Sequence, residues 1–202
     1  PKAYYPVGKQ YTPYIYTISE LVNFFAETDK GKGPHSYRCP YRHQIMPVIF
    51  RMIYMCGLRL SAARLLKVAD VDLEEGVLSI LHSKKDNSRL VAMSDVLTER
   101  CRTFSKEVHL LSDAEDYYFS DLGGKPIDHL NLYYHFRRFL WKAGISHGGR
   151  GRGPRIHDFR HTYAVHCLKK WAEQDKDLTV YLPILKTYMG HYFFEETAYY
   201  LR

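Results

Sequence analysis

Apolar residues recur along this chain at two spacings, three to four residues apart over most of its length and two apart in one short stretch. Thr17-Ile18-Ser19-Glu20 has the form of a capping box, in which a hydroxyl and a carboxylate satisfy the donors that a helix start leaves open, and Leu21, Val22, Phe24 and Phe25 follow at helical spacing. The pattern predicts a helix from 18 to 27. A loop with Gly31, Gly33, Pro34 and Pro40 follows, and beyond it Ile45, Ile49, Met52 and Cys56 mark one face of a second helix. Pro47 falls inside that face, as a kink or as a delay to its start. Gly57 then breaks the helix, and Ser61 to Leu66 reads as a short helix with Arg59 at its entrance.

The shorter period belongs to Val77, Leu78, Ile80 and Leu81, followed by polar Ser83 to Ser88 and then Leu90, Val91 and Met93. This is the pattern of a β-hairpin with Lys84 and Lys85 at or near its tip. Downstream, Ser94 to Val108, Leu130 to Ala143, His157 to Trp171, Leu182 to Met189 and Glu195 onward suit helices, with breaks at 121–124 and 144–154. The fold class expected is mainly α with a small antiparallel β-sheet, an α+β chain. There is no internal repeat and no change of composition, so 17–202 is taken as one domain. Residues 1–16, with three prolines and five tyrosines and no period, read as a linker or N-terminal arm. The opening at Pro1 reads as an excised or processed chain.

Composition narrows the partners. The formal charge of +7 and pI near 9.1 suit a polyanionic partner and equally a merely basic soluble enzyme. Cys39, Cys56, Cys101 and Cys167 lack metal-binding spacing and read as reduced core thiols of a cytosolic protein. No run of about 18 apolar residues predicts a membrane helix, and no signal peptide is visible. A phosphate loop beside a strand is also missing: 148–154 lacks the strand before it and the Lys-Ser/Thr after it, which disfavours a small-molecule phosphate enzyme.

Chemistry concentrates near the C-terminus. His157 and Arg160 share a helix face at i and i+3, with Arg150, Arg152 and Arg155 in the loop before them, so one anion can meet several donors. Gly190-His191 and Tyr199-Tyr200 follow. Singly these are ordinary: a His-x-x-Arg is often a solvated helix face, a His after a helix often caps carbonyls, and most of 18 tyrosines are packing residues. A tyrosine nucleophile, with a pKa of about 10, needs fixed positive charge and proton carriers around the phosphate it attacks.

Joined in order, Gly57-Leu58-Arg59, Lys84 before Arg89-Leu90-Val91, His157-Asp158-Phe159-Arg160-His161, Met189-Gly190-His191, and Tyr200 nine positions after that His resemble the tyrosine recombinases, the phage-integrase family. Tyr118 to Pro126 is similar to the connector of that family, and the resemblance runs from about Thr17 to the C-terminus. It implies a recombinase catalytic domain whose separate core-binding domain lies outside this chain, and site-specific DNA integration or excision without metal or other cofactor. Arg59 and Arg160 would hold the scissile phosphate, and His157 would take the phenol proton or hydrogen-bond the phosphate. Lys84 would protonate the leaving 5′ oxygen, His191 would donate to the phosphate, and Tyr200 would form a 3′-phosphotyrosine.

The partners implied are double-stranded DNA at specific recombination sites, a homotetramer assembled on it from fragments that are monomeric in isolation, and a directionality factor. The compartment implied is the cytoplasm, at the nucleoid of a prokaryote. A type IB topoisomerase or telomere resolvase uses the same chemistry.

Five features depart from the pattern or divide its assignment. Ala62 stands where the family carries Glu, three positions after the first arginine, and this supports an alternative reading as a DNA-binding accessory relative that does not cleave; Asp70 or Asp72 is the candidate replacement. Ala92 replaces a proline. Lys85 competes with Lys84 and Tyr199 with Tyr200, because neighbours on a strand or helix point in different directions. Only Leu201 and Arg202 follow Tyr200, too few for the helix that family members extend into a neighbouring protomer.

Overall fold

The computed structural model describes residues 12–31, 39–81, 88–149 and 153–190. Seven helices and a three-stranded sheet make up the described chain. Helix α1, Ile18–Asp29, starts at the predicted box: Thr17 Oγ1 accepts the Glu20 N–H at 3.2 Å and the Glu20 carboxylate accepts the Thr17 N–H at 2.8 Å. Helix α2, Arg42–Met55, starts before the apolar face does and keeps Pro47 inside it. The proline does not delay the helix, since its ring is buried and only one bond near the start is forfeited.

Helix α3, Leu60–Arg64, leads through a 3₁₀ turn at Val68–Asp70 to strand β1, Val71–Asp72. Strands β2, Val77–Ile80, and β3, Arg89–Ala92, complete an antiparallel sheet in the order β1-β2-β3. The hairpin appears as expected, with Leu78 opposite Val91 and Ile80 opposite Arg89. Strand β1 was not anticipated, being too short for a period to be seen.

Helices α4, Asp95–Val108, α5, His129–Lys142, and α6, His157–Glu173, lie close to the predicted spans. Helix α7, Leu178–Met189, begins one turn before its apolar pattern. Asp177 caps it by accepting the Thr179 N–H at 2.8 Å, and the first turn is mostly exposed, so apolar periodicity registers only the buried remainder.

The core is aromatic where the helices meet. Phe24 of α1, Phe50 of α2, Phe136 of α5 and Phe159 of α6 are all fully buried, with Phe24 and Phe159 rings 5.0 Å apart. Tyr16 stacks on Phe159 at 4.8 Å, and its N–H donates to Thr162 Oγ1 at 3.1 Å. A smaller cluster of Ala164, Leu168, Leu182, Leu185 and Met189 seats α7 on α6. This packing holds the first turns of α6 and the end of α7 against the junction between α2 and α3. Among the described residues, no helix is long and apolar enough to cross a membrane.

Candidate active site

Gly57 makes the junction possible. It ends α2 at φ +59°, and a Cβ there would stand 2.7 Å from the Tyr163 ring and 2.8 Å from Met189 Sδ. Only glycine meets both the left-handed backbone and the close approach of α6 and α7. Leu58 is then buried as an anchor and Arg59 becomes the N-cap residue of α3, half-buried.

Arg160 is 1% exposed, the largest of the fully buried side chains. Its Nη1 donates to the Gly57 carbonyl and its Nη2 to the Met189 carbonyl, each at 2.5 Å. Arg59 Nη2 donates to the next carbonyl, Gly190, at 3.1 Å. The two arginines predicted to hold one anion therefore meet at the C-terminal end of α7. That end closes on Gly190 at φ +64°, whose N–H returns to the carbonyls of Lys186 and Thr187. Carbonyls that end a helix carry partial negative charge and lack partners within it, which is why guanidiniums settle there.

His157 opens α6 one turn from Arg160, and its ring meets that of His161 edge-on at 4.8 Å. The residue keeps an exposed face. Desolvation of the ring by its surroundings, and then the charges of His161, Arg160 and Arg59, hold its pKa down to about 4. Burial and Arg160 bring His161 to about 4 as well. Both imidazoles are thus neutral at pH 7, able to accept a proton or hydrogen bond at one nitrogen and donate from the other. The Asp158-Phe159 pair between His157 and Arg160 turns inward: Asp158 accepts the Arg155 N–H at 2.7 Å, and Phe159 joins the aromatic core.

Of the six residues predicted to form the site, Arg59, His157 and Arg160 come together. Lys84, His191 and Tyr200 lie outside the described residues, as do the competing Lys85 and Tyr199. The expected carboxylate replacement for Ala62 is not made at Asp70 or Asp72. Asp70 accepts the Lys67 N–H at 2.8 Å, and Asp72 accepts the N–H groups of Glu74 and Glu75 at 2.9 Å. The Gly190 carbonyl holds Arg59 instead.

Two contacts escaped the sequence reading. Tyr188 donates its O–H to the Ala92 carbonyl at 3.1 Å and accepts Arg89 Nε at its own carbonyl at 2.9 Å, tying α7 to β3. A signal for the second was present: in an alternating strand Arg89 shares the face of buried Val91, while Leu90 is 70% exposed.

The family model of the Phage integrase family matches residues 19–202. The chain belongs to that family. It is 32% identical over 196 residues to the Sinorhizobium fredii protein y4rB, an integrase/recombinase by name, covering 96% of this chain and 62% of the relative. It is 25% identical to Tyrosine recombinase XerD of Proteus mirabilis, over 71% of this chain and 42% of that one. The chain thus spans only part of the curated family relatives it matches. In fold it resembles the crystal structure of the XerH site-specific recombinase bound to its difH substrate, a pre-cleavage complex, with a TM-score of 0.72 and 22% identity over 94% of this chain and 50% of XerH. The family's fold is therefore this chain's fold, mostly helical with one small antiparallel sheet.

Proposed function

We propose that this chain is the catalytic domain of a tyrosine site-specific recombinase, which cuts and rejoins duplex DNA through a covalent 3′-phosphotyrosine. The observation that carries the reading is the meeting of Arg59 and Arg160 at successive carbonyls of one helix end, beside a neutral His157 and directly before His191. Two guanidiniums so placed match the non-bridging oxygens of a phosphodiester and the charge that builds on them in a pentacoordinate transition state. The phenol oxygen of Tyr200 attacks phosphorus as its proton passes to His157 or to solvent. The P–O5′ bond breaks, and Lys84 gives a proton to the departing oxygen. Rejoining reverses these steps, with the 5′ hydroxyl attacking the phosphotyrosine.

The substrate in this reading is double-stranded DNA at paired sites, as XerH is bound to difH. Phosphate contacts by the basic chain supply a salt-dependent affinity, and sequence is read with further segments of the whole protein. Four protomers and a directionality factor complete the assembly, in the cytoplasm at the nucleoid. Ala62 favours a second reading, a DNA-binding accessory relative, because Arg59 lacks the family's carboxylate there.

A nicked suicide substrate separates the two. The recombinase reading expects a covalent protein–DNA adduct from the intact protein, lost in Tyr200→Phe and kept in Tyr199→Phe. DNA binding without any adduct favours the accessory.

A further inference from the structure

Beyond the two arginines assigned to the phosphate, a third guanidinium, that of Arg89, reaches the same helix end. The carbonyls of Tyr188, Met189 and Gly190 lie past the last return bonds of α7 and accept in order from Arg89 Nε at 2.9 Å, Arg160 Nη2 at 2.5 Å and Arg59 Nη2 at 3.1 Å. The donors come from β3, α6 and the start of α3. We propose that Arg89 is a positioning residue, which locks the Gly190 end of α7 to β3 and so sets where the carbonyl that holds Arg59 stands. The consequence for cleavage rests on the recombinase reading above; the positioning itself does not.

Three observations support the lock. Arg89 lies flat against Gly190: a Cβ at that glycine would stand 2.5 Å from Arg89 Nη1 and 2.8 Å from Cζ. The glycine therefore serves the arginine as well as the positive φ. Arg89 also occupies a costly position. It sits opposite buried Ile80 on the inner face of the sheet, its Nη1 is buried without a hydrogen-bond partner among the described residues, and Leu90 beside it is turned out to solvent. Burial and the neighbouring charge of Arg59 both disfavour the cation, lowering its pKa, and among the described residues no salt bridge offsets it. An apolar residue facing Ile80 would pack there without that expense. The gain lies in the one thing a guanidinium does and an apolar side chain does not: it binds the negative end of α7. Finally, Tyr188 returns its O–H to Ala92 at the other end of β3, so helix and strand are pinned at both ends of the strand. Because β3 continues from the hairpin that carries Lys84, one strand joins the segment of the proposed acid to the helix end that precedes His191.

The test combines a structural and a kinetic measurement on the intact protein with Arg89→Met, Arg89→Lys and Gly190→Ala. In Arg89→Met, hydrogen exchange at the Gly190 amide is expected to accelerate about tenfold or more while amides in the middle of α6 keep their protection. Unchanged exchange at Gly190 overturns the proposal whether or not the protein cleaves DNA. On a suicide substrate at saturating protein, adduct formation is expected to slow about 10- to 100-fold, as is usual when a group that orients the primary contacts is lost, with DNA affinity changed less than about threefold. Arg89→Lys, which preserves charge but not the planar fork, is expected to slow it as well, and provides the measurement if the methionine variant does not fold. In the Gly190→Ala background, Arg89→Met is expected to cause no further loss, because the added Cβ has already displaced the guanidinium. Wild-type rates in both Arg89 variants, with wild type forming its adduct, overturn the kinetic part; failure of wild type to form any adduct counts against the recombinase reading alone.

Discussion

Arg59 donates to the carbonyl of Gly190 at 3.1 Å, across 131 positions of sequence. The bond gives the guanidinium a neutral acceptor, where position 62 offers no carboxylate. Arg59→Ala is expected to lower adduct formation on a suicide substrate by about 10² to 10³, the usual loss on removing a preorganised donor. The thermal midpoint should move little, since Arg59 is only half-buried and caps no backbone donor through its side chain. A variant cleaving at the wild-type rate would remove Arg59 from the phosphate site.

Phe159 carries the opposite expectation. Its ring is fully buried and touches Tyr16, Phe24 and Phe136, so Phe159→Ala should cost about 3 to 5 kcal/mol in a denaturant titration. Because the same residue supports the first turn of α6, activity should fall with stability and recover in part at low temperature. A cost below about 1 kcal/mol would contradict the packing.

The protonation of His157 can be followed directly. With desolvation, then the neighbouring His161 and the cations of Arg160 and Arg59, pushing its pKa to about 4, its ring resonances in the DNA-free protein should titrate near that value, well below the 6.5 of an exposed histidine. Bound phosphate opposes the cations, so the midpoint should rise when DNA occupies the site. A free-protein midpoint at 6.5 would show that His157 does not face Arg59 and Arg160.

His135 predicts acid lability. It is 7% exposed, and burial followed by Arg42 and Arg138 brings its pKa to about 4 from 6.5. Between those values the unfolded chain binds the proton and the folded one does not, so stability is fully present above pH 6.5 and is lost as pH falls toward 4. For this one residue the loss is on the order of 3 kcal/mol at the lower end. His157 and His161 act in the same direction. Denaturant midpoints from pH 7 to pH 4 should fall less steeply in His135→Leu than in wild type, and parallel curves would refute the assignment.

Much of the fold was legible because local chemistry and tertiary packing agree. The Thr17–Glu20 box starts α1, Gly57 ends α2, and alternation between Val77 and Met93 delivers β2 and β3. Legibility failed where an element is too short or too exposed to carry a period, as with β1 and the first turn of α7. Tyr16 sits in a tract that reads as a featureless arm, yet it is 1% exposed because Phe159 and Thr162 lie waiting on α6. No window along the chain contains that information.

For the site, sequence by itself determined the residue types and their order: Gly57-Leu58-Arg59, His157 to His161 and Gly190 are set by spacing and by what glycine, arginine and imidazole can do. The tertiary structure alone decided what orients them. A missing carboxylate at Ala62 pointed toward Asp70 or Asp72, which each accept neighbouring N–H groups at one oxygen, while the end of α7 presents three carbonyls to Arg89, Arg160 and Arg59. A backbone carbonyl has no letter in the sequence. Its direction follows from where a helix stops and what packs against it, so a site supported by main-chain acceptors becomes visible only once the chain has folded.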